Sequence, residues 1–383
     1  MSENFNFVSS VADDVWHNRT EKSAYEWWYF DAISDDGRDA IVVIFLDNFV
    51  FSPRYNKAQS PKSEVQSLES TVKPDFLDSE IQSQKSEIRN PKRVPAVTFF
   101  YYRDGKPIYR GINEFDETAF SANKNFPHCK IGGSDFTFEA TPYGTRYILN
   151  VETILRGGKT LKASLEWLII ESDFLPAAIK DDDADSSSDS HYWNLASPRS
   201  DVSGKVEIFD RNNNLFKLNQ FRGSGYHDHN FDSRWMPQTV KNWQWGRAHF
   251  ADATAVFYRY QEFGKAAPTT KLFLIKDNEL SILDVNCRFE RKRRDRFGLK
   301  FPRKLCFTGE NGISLTVKQN RLIDGSFFYL RFFSDMILDL NDGKKREVVG
   351  ISEHLAPRPL GWRWLDWLVN MRISRNGKGA FLP

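Results

Sequence analysis

Residues 136–170 read FTFEATPYGTRYILNVETILRGGKTLKASLEWLII, and this stretch decides the fold class. Apolar and polar residues alternate through 136–140, 147–155 and 161–170, the period that turns one side of a strand to a core and the other to water. Pro142-Tyr143-Gly144 and Gly157-Gly158 separate the three runs with turn-forming residues, so the stretch predicts an antiparallel meander. Further runs lie on either side of it. Residues 25–30 and 41–51 flank Asp35-Asp36-Gly37, and 97–102 and 107–110 flank Asp104-Gly105, both hairpin patterns. Residues 204–209, 215–221, 243–250, 255–262, 271–275, 312–319 and 327–333 continue the rhythm. Short strands at this spacing predict an all-β chain built as barrels or sandwiches.

At 383 residues the chain is long enough for two domains of ordinary size. Its 53 Lys and Arg nearly balance 51 Asp and Glu, which argues against a nucleic-acid partner held through phosphates. Aromatic residues reach 15%, with 32 Phe, 13 Tyr and 11 Trp, so the interior is built from rings or encloses an apolar cavity. Cys129, Cys287 and Cys306 are odd in number and widely spaced, which fits neither a disulfide framework nor a zinc site. Residues 1–7 lack the pattern of a secretory leader, and 40–50 is too short an apolar run to span a bilayer. These features predict a cytoplasmic protein. Residues 52–92 are polar and read as a mobile insertion, and the acidic run DDDADSSSDS at 181–190 marks a domain boundary, giving domains 1–190 and 191–383. In the tail, Trp362, Trp364 and Trp367 alternate with Arg358, Arg363, Arg372 and Arg375. Two readings stand for it: peripheral contact with anionic lipid, or a short C-terminal helix packing its Trp face on the barrel.

The densest chemical constellation is Gly223-Ser224-Gly225-Tyr226-His227-Asp228-His229-Asn230. On a strand, His227 and His229 share one face and Asp228 takes the other, while the two glycines permit unusual backbone angles. A His-x-His pair suits zinc or iron, but a metal site needs further ligands, and although His249 is a candidate, the spacing singles out none. The expectation is therefore no metal and no cofactor. Hydrogen bonding within a strained turn is the bland alternative, and general acid–base chemistry the functional one. Trp243 and Trp245 put two indoles on one strand face, able to wall an apolar cavity or steady a carbocation. Glu26 sits among rings in Tyr25-Glu26-Trp27-Trp28-Tyr29-Phe30-Asp31, where burial would disfavour its charge. No P-loop, dinucleotide fingerprint or Gly-x-Ser-x-Gly elbow is present.

Together the 25–31 string, the Tyr226-His227-Asp228-His229-Asn230 string, the Trp243-x-Trp245-Gly246-Arg247-Ala248 strand and Asn370-Met371-Arg372-Ile373 resemble the carotenoid hydratase (hydroxyneurosporene synthase) and AttH-like family. The resemblance implies two lipocalin-like antiparallel β-barrel domains in tandem. It also implies cofactor-independent hydration of an apolar polyene or terpenoid, most readily a carotenoid-type alkene. Matched by motif, His229, with Asp228, His227 and Tyr258, is a catalytic candidate, and Tyr226, Phe231, Trp243, Trp245, Tyr260, Trp28 and Glu26 are substrate-binding candidates. Two positions depart from the family pattern: Phe231 replaces a Trp, and no Asp accompanies Tyr258 and Tyr260 on their strand. Rival readings are a pericyclase, another cyclase or an isomerase on the same scaffold, and a carrier that binds an apolar ligand without converting it.

Overall fold

In a computed structural model the chain is described at residues 5–59, 93–175, 190–375 and 378–381. The predicted meander is present as Ser134–Thr141, Gly144–Ile154 and Thr160–Glu171, each paired antiparallel with the next. On Thr160–Glu171, Leu161, Ala163, Leu165 and Trp167 are buried while Lys162 and Ser164 are exposed, so the alternation in the sequence is the alternation of the pleat.

Two curled sheets with a few short helices make an all-β, tandem lipocalin-like architecture. The first sheet has thirteen strands, with Tyr25–Ser34 between Asp39–Leu46 and Leu215–Asp232 at its middle. It curls until the side chain of Asn113, on Lys106–Glu114, accepts from the Ile154 amide (2.9 Å) and donates to the Ile154 carbonyl (3.3 Å). Phe5–Val8 and Ser374–Arg375 add parallel to this sheet, so both ends of the described chain are stitched to it. The second sheet has nine strands, begins at Val240–His249 and has Glu279–Asp284 and Asn286–Arg294 as its edges. Sheet membership changes between Asp232 and Val240, so His191–Phe209 and Leu215–Asp232 belong to the first sheet.

Leu215–Asp232 runs unbroken through Gly223-Ser224-Gly225, where a turn was one of the readings. Neither glycine has a positive φ. They are needed for close approach instead. A Cβ on Gly223 would stand 2.1 Å from the Ile33 carbonyl oxygen, and one on Gly225 would stand 2.4 Å from a Val202 methyl.

Of the mobile insertion expected at 52–92, Pro53–Gln59 is a helix with Tyr55 and Asn56 buried. Residues 60–92 and 181–189 of the two low-complexity segments lie outside the described residues. The tail contains the short helix Asp366–Asn370, but its Trp residues do not pack inward. Leu360, Leu365 and Val369 are buried, whereas Trp362, Trp364 and Trp367 are exposed.

Tyr25–Ser34 is buried on both faces, as is the end of Leu215–Asp232. One face joins a core inside the first sheet with Trp28, Phe30, Phe136 and Tyr147. The other joins a core between the sheets with Trp27, Tyr29, Tyr226, Trp243, Trp245 and Tyr258. That double burial positions the candidate site.

Candidate active site

Pairing of Leu215–Asp232 with Tyr25–Ser34 sets His227 opposite Phe30, Asp228 opposite Tyr29 and His229 opposite Trp28. Strand pleating then divides the motif. The two imidazoles enter the first sheet's interior, and Asp228 turns toward the second sheet. The three side chains therefore do not share one chamber.

On the imidazole side the groups are locked in a closed network. His227 Nε2 lies 2.9 Å from Asp14 Oδ2, and the Tyr147 hydroxyl donates to the same oxygen at 2.7 Å. His229 Nε2 lies 2.8 Å from Glu26 Oε1, and its Nδ1 lies 3.2 Å from Asp14 Oδ1. His17 Nδ1 completes the set at 3.0 Å from Glu26 Oε1. Phe30 stacks on His227 and Trp28 on His229, with centroids 3.8 and 4.6 Å apart. Burial opposes the charge on His229, but hydrogen bonds and attraction from Asp14 and Glu26 outweigh it and raise the imidazole to about 9. Burial likewise opposes the charges on Asp14 and Glu26, and their imidazole partners pull both carboxyls below their ordinary range. The result is a buried cluster in which His229 is paired with both carboxylates, so that removing one partner would leave the other uncompensated. Among the described residues, His17, Glu26 and His229 are the group whose donor atoms, within 4.8 Å of one another, could meet a metal ion.

On the opposite face Asp228 stands among rings. Its Oδ2 accepts from Trp193 Nε1 (3.0 Å) and the Tyr226 hydroxyl (2.7 Å), and its Oδ1 accepts from Asn230 Nδ2 (2.8 Å). Burial outweighs these donors, and the nearby Glu353 and Asp31 add repulsion, so the carboxyl is pushed up to about 7. It is thus a buried acid that still holds a proton near neutrality. The Tyr226 ring lies 5.1 Å from Trp245, which lies 5.2 Å from Tyr29.

Tyr29 opens onto a cavity of about 180 Å³ between the sheets, walled by Trp27, Phe49, Phe100, Trp243, Phe327 and Phe328. Its polar corner carries Glu353, which accepts from Arg331 Nε (2.8 Å) and from the Tyr29 hydroxyl (3.1 Å). A second pair, Arg110 and Asp324 at 2.7 Å, lies on the same wall. Thr98 Oγ1, Arg110 Nε and Trp243 Nε1 are buried on this wall without a hydrogen-bond partner. Unspent polar atoms around an apolar hollow are the composition of a ligand site.

The carotenoid hydratase CrtC family model matches residues 169–381. The chain belongs to that family. Membership makes it an enzyme of hydro-lyase type. It is 26% identical over 387 residues to hydroxyneurosporene dehydrogenase of Chlorobaculum tepidum, covering 97% of this chain and 93% of that one. It is also 50% identical over 40 residues to acyclic carotenoid 1,2-hydratase of Rubrivivax gelatinosus, 10% of each chain. The fold is similar to an AttH-like protein of Nitrosomonas europaea, with TM-score 0.56 and 14% identity over 90% of this chain and 95% of that one. CghA with Sch210972 gives TM-score 0.54 and 11% identity over 91% of this chain and 94% of that one.

The remaining candidates of the hydratase motif divide between the two faces. Glu26 and Trp28 belong to the imidazole network, and Phe231 stacks on Tyr192 (4.2 Å) with His17 tilted against it (4.1 Å). Tyr258 and Tyr260 lie between the sheets against His191, the Tyr258 hydroxyl 2.8 Å from His191 Nε2. Trp243 and Trp245 line the same space. His249 stands apart, its Nε2 2.8 Å from the Pro198 carbonyl oxygen and its other nitrogen on Ser224. Sequence reasoning missed Asp14, His17, Glu353 and Arg331. Asp13-Asp14 and His17 around Trp16 carry a local cluster signal, whereas Glu353 and Arg331 meet only through the pairing of Tyr329–Asp339 with Lys345–Leu355.

Proposed function

We propose that the protein is a cofactor-independent hydratase that adds water to the terminal alkene of a carotenoid-type polyene. The observation that carries the reading is a buried carboxyl, Asp228, held among the inter-sheet rings by Trp193 and Tyr226 on the same side of its strand as the ring-walled cavity, where burial pushes it up to about 7. The hydratase name of the family points to an apolar polyene, and the cavity suits one. At about 180 Å³ it is smaller than the roughly 300–1,000 Å³ of pockets that engulf a whole ligand, so it fits the end of a long chain.

In this mechanism the alkene end enters along the cavity wall at Trp243 and reaches past Trp245, which lies between Tyr29 on that wall and Tyr226, to Asp228. Protonated Asp228 gives its proton to the less substituted carbon. The tertiary cation that forms is stabilised by the faces of Trp27, Trp243 and Trp245. Glu353, held in place by Arg331 and Tyr29, takes a proton from a water molecule as the water oxygen bonds the cation, which yields the tertiary alcohol. The proton on Glu353 then returns to Asp228 through solvent, so the cycle closes. His227 and His229 act from behind the strand, as positioning residues that hold its register through Asp14 and Glu26. Tyr258 and Tyr260 shape the far wall. The reading places the protein in the cytoplasm, where its three free thiols stay reduced.

The test is the pH dependence of kcat/KM on an acyclic polyene. The rate should fall as pH rises through about 7, when Asp228 loses its proton. A pH-independent rate favours catalysis by shape alone, and stoichiometric binding without product favours a carrier; either result overturns the reading.

A further inference from the structure

A second hollow, a groove of about 700 Å³, opens at the surface beside the C-terminal helix. Phe297, Phe327 and Leu368 line both this groove and the inner cavity, so the two are neighbours across a thin apolar partition. The groove's charged lining is Lys241, Lys292 and Lys300, and no carboxylate lines it. Its outer lip carries Trp362 and Trp364, with Trp367 on the following helix. These rings are 46%, 70% and 55% exposed, and the first two lie parallel at 6.3 Å. Leu360, Leu365 and Val369 already anchor the segment from beneath, so the indoles contribute little to holding it down. The edge strand that carries Lys292 adds exposed Arg291, Arg293 and Arg294.

We infer that this face docks on an anionic lipid bilayer, the three indoles seated at the headgroup level and the lysines and arginines against lipid phosphates. Indoles are favoured at that depth because each has an apolar body and one N–H donor. A basic surround with no acidic neighbour in the groove is complementary to an anionic leaflet. No helix among the described residues is long and apolar enough to cross a membrane, so the contact is peripheral. The direction of traffic, from lipid through the groove to the cavity, rests on the hydratase reading. The docking itself does not.

The experiment is flotation of the full chain with vesicles of phosphatidylcholine, with and without phosphatidylglycerol. The wild-type protein should float with the anionic vesicles at low salt and be released at high salt. Replacing Trp362, Trp364 and Trp367 together by alanine should abolish flotation. Lys292→Ala with Lys300→Ala should weaken it by about 25-fold, at about fivefold per charge. Unchanged melting temperatures show that the variants fold. Failure of the wild type to float, equal binding to both vesicle types, or full binding by the Trp variant overturns the inference. Flotation of a protein that hydrates no polyene leaves the docking standing and removes the hydratase reading.

Discussion

Replacing Asp228 by Asn separates the catalytic acid from the fold around it. In the native state burial pushes the carboxyl up to about 7 from the ordinary 3.8. The native protein therefore keeps a proton that the unfolded chain releases, and this group's contribution to stability declines as pH rises from about 4 to about 7, then levels. Three pKa units correspond to about 4 kcal/mol, an upper figure for a buried group. Asn is isosteric and uncharged, so the variant lacks this decline. One of its amide hydrogens meets a donor now served by the carboxylate, such as Asn230 Nδ2, at a cost of about 1 kcal/mol. Urea unfolding at several pH values should find Asp228→Asn slightly less stable than wild type near pH 4 and more stable, by about 1–3 kcal/mol, near pH 8. Turnover should fall by at least about a hundredfold throughout, since the amide has no proton to give. A stability difference that does not move with pH, or retained turnover, refutes the assignment.

Trp243→Ala should lower turnover at least about tenfold and destabilise by about 3–5 kcal/mol, because the indole is both cavity wall and inter-sheet core. Turnover and urea midpoints of Trp243→Ala and Trp243→Phe check this, with Phe the milder change. His229, raised to about 9 from 6.5, contributes stability that is fully present below about pH 6.5 and is lost as pH rises through 9, up to about 3 kcal/mol. His229→Gln should abolish that alkaline slope, as read by urea unfolding at pH 6 and above 9. Gly223→Ala should destabilise by about 2 kcal/mol or more, because the added methyl meets the backbone oxygen of Ile33, which a side-chain rotation cannot relieve. Thermal melting measures it.

The all-β fold was legible wherever one strand face meets water. The three runs within 136–170 alternate over most of their length, and their strands lie where the pattern put them. The pattern fades where both faces are covered: Tyr25–Ser34 is almost wholly buried and betrays itself only by its rings. Asn286–Arg294 failed for the opposite reason, since an edge strand so basic carries little apolar signal. At the site, period two correctly split His227 and His229 from Asp228, but sequence could not say which face held a cavity. The imidazoles looked catalytic because of their spacing. Their partners Asp14 and His17 come from an irregular segment with no periodicity to place it. Glu353 reaches the cavity only through strand register more than a hundred residues from the motif, and register between distant strands is set by tertiary packing.

The most direct test is to incubate the protein with an acyclic carotenoid ending in a trisubstituted alkene, in water enriched with heavy oxygen, and to analyse the product by mass spectrometry. The account predicts a tertiary alcohol carrying the heavy isotope, and none from Asp228→Asn. A cyclised isomer of unchanged mass, or substrate recovered intact, would contradict it.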